Sequence, residues 1–197
     1  MALDMTAFWA ELSPALDRAQ DDADRQAVIA LILRAFTAPM ESLLSQTLCR
    51  PIALRRVEAC RLTRGVRQYG TCTLRRRDDG TCRLAISRNL FFPGNERNLV
   101  DVVCHEMIHA CLPAREGHGP LFHEALAALN RAYGLRIAVH SSESAIGEAG
   151  AFYRYKVTCG GCGHTFYYLR AGALVRHPRR YRCARCGKSR FAIEKLR

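Results

Sequence analysis

The sequence predicts an α+β protein in which a helical domain carries a small antiparallel sheet and is followed by a C-terminal β ribbon folded around a metal ion. Three observations lead there. Residues 5–48 hold apolar side chains at helical spacing, and residues 52–87 change to shorter alternating stretches. Four of the ten cysteines then form two Cys-x-x-Cys pairs near the C-terminus, Cys159/Cys162 and Cys183/Cys186.

In order, residues 5–17 and 23–48 read as helices. The second lines up Val28, Ile29, Leu31, Ile32, Leu33 and Phe36, then Leu43, Leu44 and Leu48, and Pro39 is expected to kink or break it. Pro51 marks its exit. Between Tyr69–Arg76 and Thr81–Ile86 the run Arg77-Asp78-Asp79-Gly80 is a hairpin signal, so Ile52 to Ser87 should form the antiparallel sheet. After Pro93-Gly94, Asn95 is placed to cap a helix and Glu96 puts negative charge in its first turn; that helix should reach about Leu112. A further helix is framed by Pro120 and by Gly134 after Tyr133. Residues 141–150 are small and polar enough for a linker, which divides the chain into residues 1–147 and 148–197.

The 197 residues carry a net charge of +12, unevenly spread. Residues 151–197 hold 12 Lys and Arg against the single acid Glu194, a charge of +11, and the first 150 residues hold 18 bases against 17 acids. Such asymmetry points to a basic module for a polyanion on a nearly neutral body. Codon bias can explain why only three of the 30 basic residues are lysine, but not why acids nearly vanish after residue 150. The longest apolar run, Ala27 to Phe36, is interrupted by Arg34, and Asp4 and Glu11 occupy positions where a secretory leader would be positive. The expectation is a cytoplasmic monomer without a membrane partner, with nucleoid association compatible with its charge. Cys49, Cys60, Cys72, Cys82, Cys104 and Cys111 then read as reduced thiols.

The run His105-Glu106-Met107-Ile108-His109 is an HExxH motif on a helical segment. Four residues carry a helix little more than one turn, so His105 and His109 share a face and can reach one metal. Val100, Cys104, Met107 and Cys111 form an apolar back on the other side. A catalytic zinc needs a third protein ligand and an open position. His118, His123 and Glu124 are the candidates, the motif's extended form failing at Arg115. His118 is preferred, because Gly117 and Gly119 let its loop fold back over the helix; His123 lies one turn into the next helix, where it could instead orient a ligand or bind substrate. Glu106 leaves the helix about 100° from His105, as suits a general base rather than a ligand.

Together with Glu116-Gly117-His118-Gly119-Pro120-Leu121-Phe122-His123, the HExxH run resembles the SprT-like (Spartan-type) zinc metalloproteases. The resemblance implies a compact zincin-like metalloprotease domain over roughly residues 25–140, with His118 as third zinc ligand, and a C-terminal zinc ribbon as in bacterial members. It also implies proteolysis of protein substrates bound or crosslinked to DNA. Spartan organises its own DNA-binding elements differently, so those are not carried over residue by residue.

Each Cys-x-x-Cys pair is followed by glycine, as in zinc knuckles, and a structural zinc on Cys159, Cys162, Cys183 and Cys186 would stabilise a segment too short for a sizeable core. The residues between the knuckles are expected to give two strands, with a third in Arg190–Glu194. The expected cofactors are therefore two Zn²⁺, one catalytic and one structural. The ribbon segment also holds eight of the 16 aromatic residues, interleaved with arginines, and Arg176, Arg179, Arg180, Arg182 and Arg185 around the second knuckle are the expected nucleic-acid contacts. Two other readings compete with a protease working at DNA: a non-proteolytic zinc-containing nucleic-acid-binding or regulatory protein, and a general peptidase whose ribbon serves stability only. A purely structural metal would have no use for Glu106.

Overall fold

The structure, a computed structural model, describes residues 3–64, 68–75, 78–139, 154–168 and 171–196. Contacts divide the chain into two units, Met1–Ala145 and Ile146–Arg197. The expected linker 141–150, the boundary at 147/148 and Arg77 of the hairpin signal lie outside the described residues.

In the first unit, α1 (Met5–Asp17) begins at Asp4, whose carboxylate accepts from Thr6 N at 2.9 Å and Ala7 N at 3.1 Å. A reciprocal capping box between Asp21 and Asp24 starts α2 (Asp22–Thr47). Pro39 does not break α2, which continues through it as one 26-residue helix. Proline removes one helical hydrogen bond, but Phe36 and Met40 on either side are fully buried, and two such side chains contribute about 1.5–3 kcal/mol each. By length and composition alone α2 is apolar enough to cross a membrane. Here its Val28, Ile29, Leu31, Ile32, Phe36, Met40 and Leu44 are buried, with Phe36 meeting Phe8 of α1 edge-on at 5.2 Å.

The sheet comprises β1 (Arg56–Thr63), β2 (Gly70–Leu74) and β3 (Thr81–Ser87) in the order β1-β3-β2. β2 and β3 form the antiparallel hairpin, but β1 runs parallel to β3, so the sheet is mixed rather than wholly antiparallel. The hairpin turn is local and dictates its own pairing. β3 then enters between its two predecessors, a choice made by long-range burial that alternation alone does not encode. Cys82, Leu84 and Ile86 on one face of β3 are buried.

Helix α3 (Glu96–Cys111) carries the HExxH run and buries Leu99, Val100, Val103, Cys104, Met107, Ile108 and Cys111. Asn95 stands at its N-cap position without a side-chain cap, contrary to expectation. Its amide instead donates to Leu90 O at 2.9 Å and accepts from Asn98 at 2.6 Å, because Asn95 is buried and its polar atoms must find partners inside. Helix α4 (Pro120–Tyr133) ends at Gly134 in the left-handed conformation, φ 64°.

The second unit is a three-stranded antiparallel sheet, with β4 (Tyr155–Cys159) between β5 (Thr165–Tyr168) and β6 (Phe191–Lys195). The central strand therefore runs into the first knuckle at Cys159. Among the described residues between the knuckles there is one strand, the four-residue helix α5 (Ala173–Arg176) and a 3₁₀ turn, Pro178–Arg180, where two strands were expected. Pairing on both sides buries Val157 of β4 completely, which gives the unit its small apolar centre.

One side chain ties the C-terminus of α3 to the hairpin turn. Arg55 Nη1 donates to Ala110 O at 2.8 Å and Leu112 O at 2.9 Å, and its guanidinium pairs with Asp78 through an Nε bond of 2.9 Å. That pairing, with the Gly80 N–H, holds the Asp78 carboxyl down at about 2. Replacing Arg55 by Met keeps an apolar stem and leaves both carbonyls without these donors. Urea unfolding should show a loss of roughly 1–3 kcal/mol. No measurable loss would mean that water replaces the guanidinium at this helix end.

Candidate metal centres

Helix α3 sets His105 and His109 one turn apart, and a short 3₁₀ turn, Ala114–Glu116, brings the chain back to place His118 beside them. The three Nε2 atoms form a triangle, with His105–His118 at 3.1 Å, His105–His109 at 3.2 Å and His109–His118 at 3.0 Å. Ligands about 2.05 Å from a tetrahedral zinc lie about 3.3 Å apart, so this donor set fits one zinc ion with a coordination position left over. Burial, and secondarily His118, hold His109 down at about 4, which keeps it in the neutral form a ligand needs. His105 Nδ1 lies 3.0 Å from Ala138 O; an Nδ1–H donated there leaves the Nε2 lone pair for the metal.

Two residues outside the motif shape this pocket. Phe122, fully buried on α4, stands 4.6–4.8 Å from all three imidazole rings and forms their apolar backing. Glu116 fixes the His118 loop: its Oε1 accepts from Leu121 N at 2.9 Å and its carbonyl from Gly119 N at 2.8 Å. The Glu116 carboxylate thus caps α4 where Gly119 has no side chain to do so, and a Cβ at Gly119 would sit 2.5 Å from Glu116 Oε1. His123 and Glu124 are exposed on α4 and are not in the metal-binding group.

Glu106 is only 5% exposed. It lies under the start of β2: a Cβ built on Gly70 would fall 2.5 Å from Glu106 Oε1 and 2.8 Å from its Cγ. Burial pushes this carboxyl up to about 8, opposed by the backbone N–H of Cys72. A dication held by His105 and His109, which flank Glu106 on the same helix, would favour the ionised form and so offset that burial. The Gly70 contact had no signal in the sequence beyond a glycine opening an alternating stretch.

In the ribbon, Cys159 Sγ lies 3.5 Å from Cys186 Sγ and Cys162 Sγ 3.7 Å from Cys183 Sγ, with all four sulfurs within 4.8 Å of one another. Tetrahedral zinc at about 2.3 Å from each sulfur requires separations near 3.8 Å, which this set matches. Gly163 and Gly187, both at φ 72°, turn each knuckle so that their N–H groups reach the carbonyls of Cys159 and Cys183 at 2.9 and 2.7 Å. The Gly161 N–H points at Cys159 Sγ from 3.4 Å and is the chief cause that brings this thiol down to about 6, toward the ligating thiolate.

Arg176, Arg179, Arg180, Arg182 and Arg185 are all exposed, and among the described residues none pairs with a carboxylate. Tyr167 and Tyr181 are exposed as well, whereas Tyr155, Phe166, Tyr168 and Phe191 are half-buried in or beside the sheet.

Glu106 generates a test on the metal-free protein. Below its ordinary value of 4.5 the carboxyl is protonated folded or unfolded and has no effect; between 4.5 and about 8 only the unfolded chain ionises, so folding stability falls as pH rises. Glu106→Gln should remove that slope, and the variant should outlast the wild type in thermal unfolding at pH 8 after chelation. Comparing the two separates Glu106 from His109, whose lowered value acts in the opposite sense below about 6.5. Superimposable stability–pH curves would refute the buried, protonated Glu106.

No curated protein matches this chain. The sequence model of the SprT-like family matches residues 38–141, which include the three histidines, Glu106 and the two helices that carry the site. That is more than half of the chain's 197 residues, and the family together with the His105/His109/His118 group fits a zinc metalloprotease. The chain belongs to the SprT-like family.

Proposed function

We propose that this protein is a zinc-dependent endopeptidase acting on proteins bound or crosslinked to DNA, with its basic ribbon contributing nucleic-acid binding. The observation that carries the peptidase reading is Glu106: a buried carboxyl on α3 between two histidines of a three-histidine site that has a coordination position to spare. A structural site would gain nothing from that desolvation. His105, His109 and His118 would hold the catalytic zinc, and the four ribbon cysteines the structural one.

When bound, zinc supplies Lewis acidity toward the scissile carbonyl and the attacking water. The chain's own part falls to Glu106. Its carboxylate takes the water's proton as the carbonyl is attacked and returns it to the departing amide nitrogen. Gly70 leaves room for that carboxylate and the Cys72 N–H steadies it, while Phe122 keeps water from behind the imidazoles. The DNA part of the proposal is supported by the charge of residues 151–197 and by the five exposed arginines.

Two measurements test the two halves. Glu106→Gln should retain two zinc ions per chain but lose hydrolysis of a basic protein substrate by at least about a hundredfold, and His118→Ala should lose about one zinc while the ribbon keeps its own. A Glu106→Gln enzyme that still cleaves would eliminate the assigned base. For the ribbon, each phosphate neutralised adds about −0.7 to −0.9 to the slope of log affinity against log salt, so five or six arginine contacts predict roughly −4 to −5 in anisotropy titrations. A chain ending at residue 150 should lose that binding and keep the histidine-site zinc. Equal DNA affinity in the shortened chain would show that the ribbon's charge serves something else.

A further inference from the structure

Residues 135–139 form neither helix nor strand, yet their main chain is held at three successive points. Gly134 turns the chain back at the end of α4. Asp101 Oδ1, on α3, accepts from Arg136 N at 3.0 Å. The Asn130 side chain, on the last turns of α4, grips Ile137 twice: Oδ1 accepts from Ile137 N at 2.9 Å and Nδ2 donates to Ile137 O at 3.0 Å. The next carbonyl, Ala138 O, is the one 3.0 Å from His105 Nδ1.

We propose that Asn130 and Asp101 are positioning residues for the metal: they fix the main chain so that the Ala138 carbonyl orients His105 through its Nδ1. The register supports this. Leu135 and Ile137 are buried while Arg136 and Ala138 are exposed, the alternation of an extended segment. Two residues of extended chain span about 6.6 Å, and four residues of helix rise about 6 Å. Positions 136 and 138 therefore stand opposite positions 101 and 105, one turn apart on the same face of α3. Asn130 sets the segment's depth, since one carboxamide satisfies both the donor and the acceptor of Ile137 as a neighbouring strand would. A side chain lacking either function leaves a main-chain polar group without its partner and lets the segment shift. His105 then loses the acceptor that fixes its tautomer and ring plane. The partners behind a histidine ligand commonly govern metal affinity as well as orientation.

The inference rests on the three histidines being a zinc site, and the experiment separates the two. Zinc is titrated into full-length, metal-free protein against a competing chelator, with the ribbon site as reference within each molecule. In the zinc-loaded protein, NMR follows the His105 Nδ1 proton. Wild-type protein that binds no zinc at the histidines would overturn the metal-site reading itself. With that site established, Asn130→Ala and Asp101→Ala should each weaken it about tenfold, leave the ribbon site unchanged, and expose the Nδ1 proton to rapid exchange with water. Asp101→Asn keeps an acceptor oxygen for Arg136 N and should stay within about twofold of wild type. If Asn130→Ala does not fold, the two Asp101 variants carry the test. Alanine variants that melt earlier yet bind zinc as tightly as wild type, with the Nδ1 proton still protected, would overturn the inference and leave the two residues a structural role.

Discussion

A carboxylate taken out of water must be compensated, and the first unit is arranged around that requirement at Glu106. The side chain leaves a helix otherwise packed with apolar residues and lies beneath the edge of the small sheet, where the Cys72 N–H is its hydrogen-bond partner. β2 must therefore lie close to α3, and Gly70 is the residue that permits it, since any Cβ there would occupy the carboxylate's space. The sheet in turn is held to α3 by Arg55, which joins the last carbonyls of that helix to the hairpin turn. Helix, sheet edge and turn form one mechanical unit whose centre is a single buried acid.

The three histidines face a different problem, because donor atoms from separate stretches of chain must converge on one point. α3 supplies two of them at a spacing the helix fixes by itself. The third depends on a loop that Glu116 closes from within, and the ring of Phe122 backs all three. Three pieces of chain thus meet at one small triangle: the helix, the His118 loop, and the segment presenting Ala138 O to His105. Loss of any one would leave imidazoles close together without a common direction.

The ribbon obeys a different economy. Among its described residues the ribbon buries Val157, Cys159 and Cys183 and little else, so four convergent sulfurs stand in for a core. A unit built that way can expose the arginines among its described residues, because it does not need them for packing. A surface of unpaired arginines is electrostatically costly to assemble unless an anion relieves it, which is the physical content of the proposed nucleic-acid contact.

Helical periodicity, with start and stop signals such as Pro120 and Gly134, determined the four long helices among the described residues, including the register that puts His105 and His109 on one face and an apolar back on the other. Ligand chemistry marked His105, His109 and the four cysteines, since an HExxH turn and Cys-x-x-Cys knuckles are local patterns, whereas the choice of His118 over His123 and Glu124 as their neighbour came with the fold. Other features were decided only by tertiary structure. Pro39 passes through α2 because buried neighbours outweigh one lost hydrogen bond; Asn95 abandons its cap because burial demands other partners; β1 runs parallel to β3 because strand order is set across the sheet and not along the chain. The closest neighbours of the site, Ala138 O, Cys72 N–H and the missing Cβ of Gly70, are main-chain atoms or an absence. Every residue offers a carbonyl and nearly every residue an N–H, so sequence marks none of these, and folding alone selects which ones meet the metal ligands and the base.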